Sequence, residues 1–490
     1  MTQDVTRAFR QVFIYGGAVA AGKAVGFLMI PVYTRVLAPA DYGVIELLDL
    51  TTAALGIALA LGLSSAVIRY YFLARTEQDR TAVVGTAAAT SILVAVCAGI
   101  VLVPLSPYIS QAVAGSRAYA TLFTLAILTN VFDGATSVPL AWFRARERSL
   151  IYAAVHLART VLGLALNIWL VVWLRLGVKG VMISGLVVAV ISGITLGSAV
   201  LGSTRFAFSP RVLRGMLRYG LPLVLASLGM SVLHFADRIF LQRFATMGVL
   251  GLYGLSYKFA MTLPVLFGQP LTLMWGPYAF DMARREGGKA LIASTATYFF
   301  LGMSAYAAAL AALMPEVIRV MAAPKFFEAH RPAPLLLGGF VLLASVTLFE
   351  TGLLIERRTE WRALSIGGAA GINLLANFLL IPRFGMMGAA AATTAGCAVA
   401  FAVTLVGAQR VCPMPYEWTR LAKVAAATVA AFCLARTISL PSLPLAIAAK
   451  MAALATVPLW LWALRFFEPG ELAGLRSAIG KAFVPRGAEA

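Results

Sequence analysis

The chain has 490 residues, of which 61% are hydrophobic and only 12% charged, about half the charged share of an ordinary soluble protein. So little polar surface cannot face water on every side, which excludes a soluble globular domain and makes lipid the solvent. A net charge of +20 would suit nucleic acid only if the cations shared one soluble face. Here they fall in short runs between apolar stretches, so no nucleic-acid partner is expected.

The N-terminal sequence MTQDVTRAFR is too polar, and the apolar run after it too long, for a cleaved signal peptide, so that run is expected to be a retained first span. A membrane span needs roughly 20 largely apolar residues. On that criterion the first seven spans fall at 12–34, 43–66, 82–105, 118–141, 150–173, 180–201 and 217–241. The next seven fall at 251–278, 291–313, 333–355, 363–382, 386–408, 421–439 and 443–464. The expected fold class is an all-α polytopic membrane protein with fourteen helices.

Charge placement tests this topology. With the N-terminus inside, the inner segments hold 25 of the 40 Lys and Arg residues and the outer segments 10. The positive-inside rule therefore places both termini in the cytoplasm. Connections reach about 15 to 20 residues at most, the range of loops rather than of folded domains. The tail after Leu464 suits either a short amphipathic helix on the inner surface or a disordered basic tail. The four cysteines show no paired or metal-ligand spacing, so they are expected to be small apolar residues of the spans.

The chain also repeats itself. Span five exits through Arg175, Leu176, Gly177, Val178, Lys179 and Gly180, and span eleven through Arg383, Phe384, Gly385, Met386, Met387 and Gly388. Each of these spans carries an Asn, Asn167 or Asn377. Tyr15-Gly16 and Tyr42-Gly43 around span one correspond to Tyr219-Gly220 and Tyr253-Gly254 around span seven. The offset is six spans, an even number, so the halves share one orientation, with a pathway expected between them. This divides the chain into a six-helix lobe at 1–204, a second at 205–410, and two additional helices with a tail at 411–490.

The opening FIYGGAVAAGKAVGFLMIPVYTRVLAPADYGVIELLDL, with Pro31, Tyr33, Arg35, Leu37, Tyr42 and Gly43, resembles the first two helices of Wzx-type polysaccharide flippases. GLYGLSYKFAMTLPVLFGQPLTLMWGPYAF, with Tyr257 and Lys258, resembles their eighth helix. The motifs are degenerate and point to the multidrug/oligosaccharidyl-lipid/polysaccharide exporter superfamily. The resemblance implies two six-helix lobes that alternate access and a polyprenyl-pyrophosphate-linked oligosaccharide moved from the inner to the outer leaflet. It implies as partners the lipid-linked oligosaccharide, membrane lipids, a coupling proton or sodium ion, and a polysaccharide polymerase with its chain-length machinery. No cofactor and no metal are expected.

Ionisable groups inside spans are independent pointers to a pathway, because each needs a cavity or a partner. Lys23, Arg159, Lys258, Arg238 and His156 are the candidate substrate-binding residues, since Arg and Lys suit phosphate oxygens. Asn130, Asn167, Asn377 and Gln269 are candidates for the sugar, or equally for contacts between helices. Glu46, Asp49, Asp133, Asp237 and Glu350 are candidate coupling acids, or ion-pair partners of the cations. Pro31 is expected to end span one, and Pro264 and Pro270 to interrupt span eight.

Other cargoes remain open on the same fold: the peptidoglycan lipid precursor, or a drug exchanged for a cation. A membrane-embedded glycosyl polymerase or ligase would need a catalytic constellation on an outer loop. The short loops show none, so no enzyme is expected.

Overall fold

The computed structural model describes residues 22, 26–204, 207–358 and 360–467. Among these residues there is no β-strand, and thirteen helices are long and apolar enough to cross a membrane. In the first half these are Pro39–Leu73, Glu77–Leu102, Arg117–Ala145, Ser149–Trp173, Gly177–Thr204 and Pro210–Val232. They continue with Met247–Thr272, Gly288–Met321, Ala333–Ile355, Glu360–Phe384, Met386–Val411, Trp418–Thr437 and Leu443–Ala463. Each matches one of the expected spans two to fourteen, because a twenty-residue apolar run can satisfy its backbone in lipid only as a helix. Most of the expected first span lies outside the described residues. The chain is an all-α polytopic membrane protein.

Several helices depart from straight rods. Span two breaks at Leu61 and Gly62, both left-handed at φ 48° and 68°, and resumes as Leu63–Leu73. A Cβ on Gly62 would meet the Gly220 Cα at 2.5 Å, so the break lets span seven approach backbone to backbone. Span five ends in a π-helical turn, Ile168–Trp173. Span eight is interrupted by a π-helical turn, Pro264–Gly268, and Pro270 lies in the first turn of Gln269–Ala283. Pro31 lies in the first turn of the helix Ile30–Val36, just after the helical residues 26–28 and a turn at Met29. The first turn of a helix lacks a hydrogen-bonded N–H at that point and accommodates the proline ring.

The chain forms two compact units. One gathers Met1–Leu255 with Met321–Ala329 and Ala370–Thr393. Its hydrophobic cluster joins Leu63, Val67 and Tyr71 to Val84, Ala88, Val138, Ala141, Val200 and Met216, with Trp142 and Tyr219 packed against it. The other unit holds Ser256–Val320, His330–Ala369 and the residues from Thr394 onward. There the two last spans pack together through Val424, Ala427, Ala431, Val457, Leu461 and Phe466. Ala435, Ala453 and Leu454 pack them onto Ala308 and Ala312 of span nine.

The glycines of the repeated exit motif fold alike in both copies, although Arg175 is itself left-handed at φ 51° and Arg383 is helical. Gly177 and Gly385 both take left-handed conformations, φ 58° and 54°. Three residues later, a Cβ on Gly388 would strike the Leu380 carbonyl oxygen, and one on Gly180 would press on that of Leu170 at 3.1 Å. One backbone turn thus explains the shared Gly-x-x-Gly spacing.

Candidate functional site

Span two begins Pro39-Ala-Asp-Tyr-Gly, and span eight begins Met247-Gly-Val-Leu-Gly; these ends are the ones that the charge pattern assigns to the outside. Glycines let them cross at backbone distance. A Cβ on Gly43 would strike the Met247 carbonyl, one on Gly251 the Pro39 carbonyl, and one on Gly254 the Glu46 carboxylate. Tyr42 packs edge-on against Phe326, 5.6 Å between ring centres, and the Ala323 N–H donates to Thr34 Oγ1 at 3.3 Å.

Directly beneath this crossing three of the candidate residues meet. Arg238 Nη1 donates to Asp237 Oδ1 at 2.7 Å and to the His234 carbonyl at 2.7 Å, and Arg238 Nε lies 3.5 Å from Glu46 Oε2. The Tyr253 hydroxyl donates to Asp237 Oδ2, which also lies 3.5 Å from Thr393 Oγ1. The guanidinium carbon sits 5.3 and 5.5 Å over the rings of Phe235 and Tyr253. Arg238, Glu46 and Asp237 are 2%, 4% and 1% exposed. Charges so buried depend on partners of this kind.

A second pair of candidates meets on spans four and five. Arg159 Nη2 donates to Asp133 Oδ1 at 2.6 Å, and Nη1 to Ser192 Oγ at 2.7 Å. Both charged groups keep some exposure, 23% and 40% of the side chain. This pair can therefore meet a ligand in a way the Arg238 network cannot. His156, one turn before Arg159, lies half-buried against Tyr152, ring centres 4.5 Å apart.

The remaining candidates are scattered. Glu350 is buried, with Arg362 Nη1 at 3.7 Å. Lys258 is half-buried in the helix Met247–Ala260. Asp49, one turn beyond Glu46, is exposed. Lys23 lies outside the described residues. Asn130 Nδ2 donates to the Ala126 carbonyl at 3.2 Å, and Asn377 Nδ2 to Asn373 Oδ1 at 3.0 Å. Asn167 Nδ2 reaches the Gly163 carbonyl and Ser184 Oγ, both at 2.9 Å. Gln269 is exposed.

Two charged groups of consequence lay outside the sequence expectations. Glu316, three residues past the expected end of span nine, accepts from Lys450 Nζ at 2.7 and 2.9 Å, and Lys450 also donates to the Ala312 carbonyl at 3.1 Å. The helix runs on to Met321 and carries Glu316 into the buried interior, 5% exposed. Arg420, at the expected inner end of span thirteen, lies 4.4 Å over the Phe466 ring and donates to Glu417 at 3.0 Å. Lys423 Nζ donates to the Arg465 carbonyl at 3.0 Å, so the start of the tail folds back on span thirteen. The amphipathic helix expected beyond it falls outside the described residues. In the adjacent connection Tyr416 is buried against Phe349, 4.5 Å between rings, and that burial pushes its phenol up from the ordinary value.

Among the described residues no group of three or more His, Cys, Asp or Glu side chains is placed to hold a metal. What the geometry offers is a membrane-embedded helical protein with glycine-faced crossings and ion pairs buried within its spans. The class is that of polytopic α-helical membrane proteins. The family model described as polysaccharide biosynthesis protein matches residues 32–331, and the chain belongs to that family. No curated protein matches it.

Solved structures share the fold. The lipid II flippase MurJ in an inward closed conformation superposes with a TM-score of 0.75 at 10% identity, over 93% of this chain and 99% of that one. An inward-facing multidrug resistance MATE family transporter of the MOP superfamily gives 0.55 at 18% identity, over 82% and 96%. A MOP superfamily transporter from Pyrococcus furiosus, described as having a binding pocket of reversed polarity, gives 0.54 at 14% identity, over 84% and 96%.

Proposed function

We propose that the chain is a flippase, not an enzyme, that moves a polyprenyl-pyrophosphate-linked oligosaccharide from the cytoplasmic to the outer leaflet of a bacterial inner membrane. It does so by alternating access between two six-helix lobes, 1–204 and 205–410, with residues 411–490 as an addition and both termini cytoplasmic. The observation that carries the reading is the family match across residues 32–331, joined to a fold found in a lipid flippase along 93% of this chain. The likeness to a lipid II flippase also favours a second reading, the peptidoglycan lipid precursor as cargo.

In the proposed mechanism Arg159 contacts the pyrophosphate, with His156 beside it, and Lys23 and Lys258 are the further candidates for that contact. Partial exposure and a carboxylate partner suit Arg159 to this role: phosphate can displace Asp133 without leaving either charge in a dry interior. Arg238 is assigned in this reading to a closure under the crossing of spans two and eight, with Asp237 and Glu46 as the proposed acids that couple opening to a proton or sodium ion. Asp49, Asp133 and Glu350 remain secondary coupling candidates.

Lys23→Ala is expected to abolish complementation of a flippase-null strain while the protein remains in the membrane; full activity removes Lys23 from the site. Cysteine labelling should find position 330 outside and position 286 inside, and the reverse would sink the orientation. Proteoliposomes loaded with labelled lipid-linked oligosaccharide or with lipid II decide the cargo by which one reaches the opposite leaflet.

A further inference from the structure

The inner ends of the spans in the first unit carry an arrangement that the transport reading leaves unused. The cluster around Leu63, Val67, Tyr71, Ala141 and Met216 presents three aromatic rings, Tyr71, Trp142 and Tyr219, and an arginine lies over each. The guanidinium carbon of Arg69 is 4.7 Å from the Tyr219 ring centre, that of Arg80 5.2 Å from Tyr71, and that of Arg146 5.0 Å from Trp142. Two of the pairs join different helices, Arg69 of Leu63–Leu73 with Tyr219 of Pro210–Phe244 and Arg80 of Glu77–Leu102 with Tyr71 of Leu63–Leu73, while Arg146 caps the helix Ala120–Ala145 that carries Trp142. One folded cluster, rather than one stretch of sequence, thus gathers the three guanidiniums.

A guanidinium resting on a ring is held in orientation while its N–H edge stays available to a phosphate oxygen. Arg69 and Arg146 are exposed, and neither forms an ion pair with an acid among the described residues. Arg80 shares its charge with Glu77, 2.5 Å away, and the Asp79 carboxylate accepts from the Thr76 N–H and hydroxyl at 3.3 and 2.7 Å. Arg144 and Arg148 lie beside Arg146 in sequence and are also exposed, with Glu147 the acid between them. Immediately after Tyr71, Phe72 and Leu73 are 65% and 63% exposed. The patch therefore pairs oriented phosphate-binding edges with bare apolar side chains, which fits an amphiphile and not a free anion.

We propose that Arg69, Arg80 and Arg146 form a docking patch for the phosphate headgroups of anionic phospholipids in the inner leaflet, with Phe72 and Leu73 against the acyl chains. The patch rests on the inside orientation of these connections but not on the identity of the cargo. Its role is to fix the inner rim of this unit at the depth of the headgroups, where spans two, three, four and seven end.

The test uses the full chain purified in neutral detergent, titrated with phosphatidylglycerol or phosphatidylcholine and followed by native mass spectrometry of bound lipid. Each cation near an anionic surface is worth roughly a factor of five in affinity. R69Q/R80Q/R146Q should therefore weaken phosphatidylglycerol binding on the order of 100-fold at low salt, and leave phosphatidylcholine binding unchanged. The control R284Q/R285Q/K289Q removes as many cations from an inner connection where Arg285 is already paired with Asp281 at 2.6 Å and where no ring orients them among the described residues, and should lose clearly less. R69K/R80K/R146K keeps the charge and the fold but not the planar fork, and should fall between the two. Equal loss in the two Gln triples would overturn the proposal, as would undiminished binding in the first or displacement of the lipid by glycerol 3-phosphate.

Discussion

Gly251→Ala probes the crossing of spans two and eight with a single methyl. On an ideal backbone that methyl falls on the Pro39 carbonyl oxygen, 3.0 Å from its carbon and 2.8 Å from the Gly43 nitrogen. All three obstacles are backbone, so no rotamer change relieves them. Contacts to carbon settle at about 3.5–4.0 Å, so the two helices must part by roughly an ångström. Overpacking of this kind costs about 1–3 kcal/mol. If the crossing exists in one transport state only, that cost shifts the equilibrium away from that state by about 5- to 150-fold. Spin labels at Ala38→Cys and Thr246→Cys report the separation by pulsed electron resonance. The wild type should give one short distance, and Gly251→Ala a longer population with altered complementation. Gly248→Ala is the control on the same helix, because its Cβ meets Pro39 Cβ and Thr246 Oγ1 at ordinary distances of 3.9 and 3.8 Å. An unchanged distance distribution and melting temperature in Gly251→Ala, or an equal effect of Gly248→Ala, would refute the reasoning.

Lys450→Met should lower the melting temperature in detergent strongly, by about 3–5 kcal/mol of stability, because it strands the Glu316 carboxylate. The double variant Lys450→Met/Glu316→Met should recover most of that loss; a double variant as unstable as the single would show that packing, not charge, is at stake. Arg238→Gln is expected to destabilise more than Arg159→Gln, since the first leaves two buried carboxylates and the second a half-exposed one; comparative thermal unfolding decides. Gly385→Ala, at φ 54°, should cost about 1 kcal/mol, and a neutral result would remove the conformational reason for the repeated turn.

Much of the architecture was legible before any contact was known. Spans two to fourteen appear where twenty-residue apolar runs predict them. Fine structure was less visible. Leu61-Gly62 carries no proline and lies within an unbroken apolar run, so nothing local marks the break; Gly220, about 160 residues away, occupies the space it opens. Glu316 looked like a loop residue because apolarity fades near residue 313, yet a helix continues for as long as its neighbours bury it.

The candidate ionisable residues show the same division. Sequence identified Glu46, Asp133, Arg159, Asp237 and Arg238 as groups that lipid cannot tolerate alone, and that much follows from solvation energy. Partner choice does not. Asp133 and Arg159 sit on different helices, as do Glu46 and Arg238, and only the packing of those helices brings the charges within hydrogen-bonding or ion-pair distance. Hydropathy and charge count act through the solvent, position by position, and so determined the class, the places of spans two to fourteen and the expected orientation from sequence alone. Which glycines touch, which ion pairs are sealed and which arginines rest on rings depend on contacts between residues far apart in the chain, and those only the tertiary structure decided.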